Sequence, residues 1–338
     1  MIGLAGVELS ALERDWLRAP GVAGVLLFSR NYAAPAQLLA LCNAIRADGN
    51  DHLLIAVDQE GGPVQRFRTG FTRLPALQRI GAMHDRDPDE AVRLAEEHAW
   101  VMASELRACG VDFSFAPVVD LARGNAAIGQ RAFHRDPAVT STLGQAYVRG
   151  LHLAGMAAVL KHFPGHGSVP ADTHKAQAID PRGIEAIRRD DLQPFADAIA
   201  AHVEAVMMAH VIYPAVDALP AGYSKVWIGE VLRSELGFAG AVISDDISMA
   251  AAGAAGGIAE RVHAHLAAGC DLVLACFPEV VPAALTAVVG TERSTDLPPE
   301  LAALRGEFGA SWAELHDNPQ RERFITHITA LDSAQGNA

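Results

Sequence analysis

The sequence predicts an α/β protein folded as one (β/α)8, TIM-type barrel with extra C-terminal helices, and three observations predict it. Short β-rich runs alternate with longer amphipathic runs through most of the chain, eight of the short runs can be counted, and no Pro/Ser-rich linker interrupts the alternation. Strands separated by helices pair in parallel, and eight such units are the number that closes a barrel. An open doubly wound sheet would want a glycine-rich dinucleotide turn after its first strand, and Gly3-Leu4-Ala5-Gly6-Val7-Glu8 does not supply one. The expectation is a single domain over 1–338, the barrel filling about 1–290 and terminal helices about 291–338.

The strands are expected at 2–5, 24–28, 53–57, 113–119, 157–160, 205–209, 241–244 and 272–276. Helices are expected at 35–46, 90–108, 138–154 and 184–201. In 138–154 the apolar residues Val139, Leu143, Tyr147, Val148 and Leu151 recur at three- and four-residue steps, which marks one face of a helix. Beyond 291 the chain reads as further helices and ends in a loose Ala-Gln-Gly-Asn-Ala tail.

Composition removes several classes of function. The formal charge of −13 at pH 7, with Lys and Arg scattered, argues against a nucleic-acid partner. The first residues have no basic leader, and no stretch is long and charge-free enough for a bilayer. Cys42, Cys109, Cys270 and Cys276 form no Cys-x-x-Cys pair and stand in apolar surroundings, as small buried hydrophobes do in a reducing compartment. These features point to a soluble, cytoplasmic protein with no membrane partner.

In a barrel the active site forms at the carboxyl ends of the strands. Four strand ends are rich in chemistry: Val57-Asp58-Gln59-Glu60-Gly61-Gly62, Leu160-Lys161-His162-Phe163-Pro164-Gly165-His166-Gly167, Met208-Ala209-His210 and Ile243-Ser244-Asp245-Asp246. Strands must end somewhere, so polar residues at one end mean little. Asp, Lys-His, His and Asp-Asp converging on one rim mean more. Pro164, Gly165 and Gly167 forbid the helical spacing that would make His162 and His166 a zinc-protease pair, and no His-x-His stands on an early strand. Asp172-Thr173-His174 allows a carboxylate to orient an imidazole, but no Gly-x-Ser-x-Gly elbow supplies a nucleophilic serine. Of Asp245 and Asp246, alternation along a strand expects one to face the pocket and the other to pack or cap.

The blocks Lys161–Gly167 with Asp172-Thr173-His174, Val57–Gly62 with Gln65-Arg66, Ile128-Gly129-Gln130-Arg131-Ala132-Phe133, and Gly240–Met249 resemble the signatures of glycoside hydrolase family 3 β-N-acetylglucosaminidases. They fall in family order across the whole barrel. The short single-domain form resembles bacterial enzymes that trim N-acetylglucosamine from cell-wall fragments during peptidoglycan recycling. The resemblance implies a retaining exo-β-N-acetylglucosaminidase that acts on muropeptides, without a metal or other cofactor. It puts the nucleophile on Asp245, the general acid/base on His174 paired with Asp172, and sugar-binding roles on Asp58, Arg66, Arg131, Lys161 and His162. Pro63, where the family often carries a basic residue, and Ile247, in place of a common Leu, depart from the pattern. Other readings remain open: a β-glucosidase, a β-N-acetylglucosaminide phosphorylase, a non-catalytic muropeptide sensor and, last, a metal hydrolase. The sequence leaves the oligomeric state unknown.

Overall fold

A computed structural model describes residues 1–49, 52–169, 177–290, 297–307 and 309–333. Eight strands carry the architecture: β1 (Ile2–Gly3), β2 (Gly24–Leu27), β3 (Leu54–Val57), β4 (Phe113–Ser114), β5 (Val159–Phe163), β6 (Ala205–Met208), β7 (Ala241–Asp246) and β8 (Leu272–Leu274). They form two four-stranded sheets, β1-β2-β3-β4 and β8-β7-β6-β5, in which every pair is parallel. Isolated parallel bridges, Ile2 to Ala275 and Val118 to Lys161, join the edges of the two sheets. The close approach at the first seam requires Gly3, because a Cβ there would lie 1.9 Å from the carbonyl oxygen of Cys276.

The strands are covered on both faces. Leu54, Ile55, Ala56 and Val57 are all fully buried, the continuous apolar run expected of a parallel strand packed on two sides. The covering helices are delimited by their own caps. Pro88–Ala108 starts on Asp87, whose side chain accepts the Glu90 N–H, with Pro88 in the first turn. Pro137–Leu153 starts in the same way on Asp136 and Pro137. The helices bury Leu94, His98, Val101 and Met102, and Leu143, Ala146, Tyr147 and Leu151, respectively, at the three- and four-residue spacing of one face. Pro319–Ser333 packs on Pro88–Ala108, with Phe324 edge-on to Trp100 at 5.3 Å and Arg321 paired to the buried Glu105 at 2.6 Å.

Three expected elements differ. The strand expected at 157–160 runs through Phe163 and carries Lys161 and His162 inside it, since both find buried acidic partners, Glu60 and Asp120 respectively. The run 113–119 is strand only at Phe113–Ser114, because Pro117 has no N–H to give the ladder, and Val118 rejoins as the isolated bridge. The helix expected at 184–201 is two, Ile184–Arg189 and Gln193–Ala200. Asp191 at the break turns inward to Arg182 (2.7 Å) and Ser168 (3.1 Å), and Pro194 begins the second helix. A small sheet of Ala178–Ile179, Val211–Tyr213 and Asp217–Pro220, and a hairpin of Gln59–Gly61 with Val64–Gln65, lie outside the expected set. All four cysteines are buried and free, and burial pushes the Cys42 thiol up to about 12. No helix among the described residues is long and apolar enough to cross a bilayer.

Candidate active site

A cavity of about 720 Å³ opens at the carboxyl ends of the strands and is lined by Asp58, Arg66, Arg131, Lys161, His162, Asp245 and Asp246. Six of the eight residues singled out from the sequence therefore meet in one place. The other two, Asp172 and His174, lie outside the described residues.

Local structure explains the arrangement. The hairpin after β3 turns through Gly61 and Gly62, both at positive φ (+93° and +53°), and a Cβ on Gly62 would lie 2.6 Å from that of Ala76. This turn brings the chain back so that the side-chain oxygen of Gln59 accepts the N–H groups of Arg66 (2.8 Å) and Phe67 (3.0 Å). Arg66 is thereby held over Asp58, 3.5 Å from its carboxylate. Pro63, at the tip, lines the cavity.

Below them sits a buried charge network. The Lys161 ammonium lies 2.8 Å from Asp58 and 2.5 Å from Glu60, and Arg131 donates from Nε and one terminal nitrogen to Glu60, both at 2.8 Å. A third nitrogen of Arg131 donates to the carbonyl of Ala127 at 3.2 Å. Burial pushes the Asp58 and Glu60 carboxyls up, but the cations outweigh it: Lys161 and Arg66 hold Asp58, and Arg131 and Lys161 hold Glu60, below the ordinary carboxylate range. Such a network keeps its two carboxylates ionised and fixes the cations' direction.

The second cluster centres on Asp120. Its buried carboxylate accepts His162 Nδ1–H at 2.6 Å, the His162 backbone N–H at 3.2 Å and the His166 backbone N–H at 2.6 Å. Acceptance by a carboxylate requires the hydrogen on Nδ1, which leaves Nε2 of His162 as the basic nitrogen. The Asn125 side-chain oxygen takes the N–H groups of Ala127 and Ile128, so its amide nitrogen donates to His166 Nδ1 at 3.0 Å. Asn125 thus ties the loop carrying Arg131 to the strand end carrying His162.

Asp245 and Asp246 depart from simple alternation, because both border the cavity. The register of β7 against β8 shifts between Ile243 and Asp246, and the Ser244 hydroxyl accepts the Leu274 N–H at 3.0 Å in the ladder's place. Asp246 is nonetheless occupied: it accepts the Ser248 N–H at 3.0 Å and hydroxyl at 2.5 Å, capping the turn as expected of one of the pair. Burial raises its carboxyl above the ordinary range, Ser248 opposes the shift, and the adjacent Asp245 adds to it. His210 Nε2 donates to the Asp246 carbonyl at 3.1 Å and supports the turn from behind, its own basicity lowered by burial.

Glu60, Asp120, Asn125 and Gln59 were not among the residues picked from the sequence. Asp120 directly follows the apolar run 113–119, so the test of polar residues at strand ends would have found it. Glu60 stood in a quoted block but without a role. Among the described residues no group of three or more His, Cys, Asp or Glu side chains could hold a metal ion.

The profile of the "Glycosyl hydrolase family 3 N terminal domain" matches residues 2–298. A β-hexosaminidase of Stenotrophomonas maltophilia (strain R551-3) is 59% identical over 309 residues, 91% of this chain and 90% of its own. One of Xanthomonas euvesicatoria is 57% identical over 91% of each chain. Among solved structures, NagZ from Neisseria gonorrhoeae in complex with N-trifluoroacetyl-D-glucosamine superposes with a TM-score of 0.90 at 38% identity, covering 98% of this chain and 97% of that one. A family 3 β-N-acetylglucosaminidase from Paenibacillus follows at TM-score 0.81 and 35% identity, covering 98% of this chain and 60% of its own.

Proposed function

We propose, from the premise that this chain belongs to glycosyl hydrolase family 3 and is a glycoside hydrolase, that it is a retaining exo-β-N-acetylglucosaminidase. The observation that carries this is the cavity itself, where Asp245 shares one space with Asp58, Arg66, Lys161 and His162. The names of the relatives support the choice of sugar.

Asp245 attacks the anomeric carbon while the leaving oxygen takes a proton from the His174 imidazolium, which Asp172 steadies. Water then releases the sugar from Asp245, giving its proton to the neutral His174. Two carboxyl groups are the commoner arrangement. An imidazole serves because its basicity lies near neutrality. Asp58 accepts from sugar hydroxyls, and Arg66, Lys161 and His162 bind others. Arg131 acts chiefly through Glu60, since that pair takes two of its nitrogens. The natural substrates are muropeptides in cell-wall recycling in the cytoplasm, and the chemistry needs no metal or other cofactor. The frame is a single domain, a (β/α)8 barrel whose two sheets meet at the bridged edges, a geometry supported by the Ile2–Ala275 and Val118–Lys161 bridges.

The test is release of p-nitrophenol from its β-N-acetylglucosaminide and β-glucoside. The expected outcome is activity on the N-acetyl substrate that Asp245→Ala lowers by roughly 10³-fold or more, the scale of losing a nucleophile. Robust activity in the mutant would move the role to Asp246 or to the substrate's acetamido group. Turnover that requires phosphate would make the enzyme a phosphorylase, and no turnover would favour a sensor.

A further inference from the structure

We infer that Ser244 is a positioning residue for the nucleophile: its hydroxyl fixes the peptide between Asp245 and Asp246 so that the Asp246 N–H is aimed at the Asp245 carboxylate. This role rests on the reading of Asp245 as nucleophile given above. Ser244 itself is fully buried and is not among the residues lining the cavity.

The end of β7 makes room for such a device. Ile243 faces Leu272 and Asp246 faces Leu274, so β7 carries one residue more than β8 across this stretch. A bulge of this kind leaves backbone groups without ladder partners, and buried ones must find others. Ser244 supplies one, since its Oγ accepts the Leu274 N–H at 3.0 Å. Beyond the bulge the ladder resumes with the Ile247 N–H on the Leu274 carbonyl at 3.0 Å.

Plugging the bulge would need only the lone pairs of an oxygen. Ser244 also uses its hydrogen, which goes to the Asp245 carbonyl at 2.7 Å. That carbonyl and the Asp246 N–H belong to one planar peptide and point in opposite directions, so holding the oxygen sets the line of the N–H. The N–H ends 2.8 Å from Oδ1 of Asp245. The bonds run head to tail, from the Leu274 N–H through the Ser244 hydroxyl and the peptide to the carboxylate, and each polarises the next. The following carbonyl, that of Asp246, is held by His210 Nε2 at 3.1 Å, so the turn is fixed on both sides of the N–H. The Asp246 carboxylate stands outside this chain, engaged by Ser248.

This bears on the reaction in two ways. A carboxylate held through one oxygen keeps its orientation, so the line of attack is set before sugar binds. A hydrogen bond to the charged form also favours that form, which keeps Asp245 ionised to lower pH. His166, His210, Asp246 and Cys276 act on Asp245 electrostatically as well. Asp58, Arg66, Lys161 and His162 share its cavity. All of these groups are present in both members of a Ser244 comparison, so the difference reports the hydroxyl.

The experiment measures kcat/KM for p-nitrophenyl β-N-acetylglucosaminide against pH, with full-length wild type, Ser244→Ala and Ser244→Thr. Ser244→Ala is expected to lower kcat/KM about 10-fold at the optimum, the scale of one hydrogen bond to a charged group. Its acid limb should move up by about one pH unit, because the carboxylate loses the donor that favours ionisation. The inhibition constant of free N-acetylglucosamine should change by less than about 2-fold, since other residues hold the sugar. Ser244→Thr keeps the hydroxyl and is expected to return the acid limb to its wild-type position. Ser244→Cys, a weak donor of similar size, carries the test if the alanine variant does not fold, and its limb should rise as well. An acid limb unmoved in the variants without the hydroxyl, or moved equally in Ser244→Thr, overturns the inference and leaves Ser244 a plug in the ladder. A parallel loss of N-acetylglucosamine binding would do the same. Activity that survives Asp245→Ala overturns the nucleophile assignment instead, a separate failure because that variant leaves Ser244 intact.

Discussion

The two ends of the strands use acidic residues in opposite ways. At the amino-terminal end, Asp112, Glu204 and Asp271 each stand one residue before a strand and accept an N–H at or just before the start of the neighbouring strand, from Ile55, Ala158 and Val242 respectively, all at 2.8 Å. Each is also paired with a basic side chain from the helix that precedes that neighbour or its own strand: Arg46 (3.1 Å) and Arg107 (3.5 Å) for Asp112, His152 (3.1 Å) for Glu204, Arg233 (2.7 Å) for Asp271. These are closed local units that tie strand to strand and strand to helix. At the carboxyl end Asp58, Glu60, Lys161, Arg66 and Arg131 share partners in one chain of contacts beside an open cavity. The first arrangement holds the frame, and the second holds groups ready for a ligand.

The sharpest way to break this comparison is to neutralise one buried acid at each end. Glu60→Gln leaves Arg131 and Lys161 without their shared carboxylate and should cost about 3 kcal/mol of stability. It should also lower kcat/KM roughly 10²-fold, because two site cations lose their direction. Asp112→Asn removes the carboxylate that balances Arg46 and the buried Arg107 and should cost a similar amount, about 3 kcal/mol, while kcat/KM per folded molecule stays within about 2-fold. Denaturant titration beside initial rates separates the two. If Asp112→Asn proved as damaging to activity as Glu60→Gln, the division between the ends would not stand.

How much of this was legible beforehand depends on what kind of contact carries it. The eight β-rich runs and the convergence of Asp58, Lys161, His162 and Asp245 follow from apolar patterning and from the rule that strand ends bear the site. Both are local properties of the chain. Glu60's task was not legible, because it depends on Arg131 and Lys161 arriving from 71 and 101 positions away (131 − 60 and 161 − 60). The three amino-terminal acids sit in plain view before apolar runs, but which N–H each accepts is set by strand register, which no single segment contains. The break at Asp190-Asp191 was hidden for the same reason: Asp191's partners, Arg182 and Ser168, make the inward turn favourable.

A smaller effect sharpens the carboxyl-end half of the comparison. Among the described residues Asp120 meets only N–H donors, from His162 Nδ1 and the backbone of His162 and His166. Asn at this position must turn an NH2 group toward one of them, leaving a clash or a reversed His162 tautomer. Asp120→Asn should lower kcat/KM about 10-fold, the scale of losing an outer hydrogen bond that orients an imidazole. The pH profile of kcat/KM should move with it, and imidazole nitrogen NMR should report the exchange of tautomers. A purely structural Asp120 would lower the melting temperature and leave both readouts in place.

The smallest effect distinguishes the ends by the sign of their pH dependence. The hydrogen bond to Glu204 raises the basicity of His152, with burial opposing it, and His152 sits in the last turn of Pro137–Leu153, where a cation suits the helix dipole. A group whose folded pKa is raised contributes stability that is complete below the unfolded value, about 6.5, and is lost as pH rises through the folded one. His152 is 38% exposed, so solvent screening limits this to a few tenths of a kcal/mol. Asp58 and Glu60 are depressed, so their contribution is present above the unfolded carboxyl values, about 4, and is lost as pH falls through the folded ones. Melting temperature followed from pH 3 to 9, on the order of ten points, should therefore show a slight decline above about 6.5 that His152→Gln reduces, the remainder coming from His327 between Glu90 and Glu97, whose basicity is also raised. Glu60→Gln should leave that decline intact and blunt the acid limb instead. An alkaline decline left unchanged in His152→Gln would assign all of it to His327 and remove His152 from the units that hold the frame.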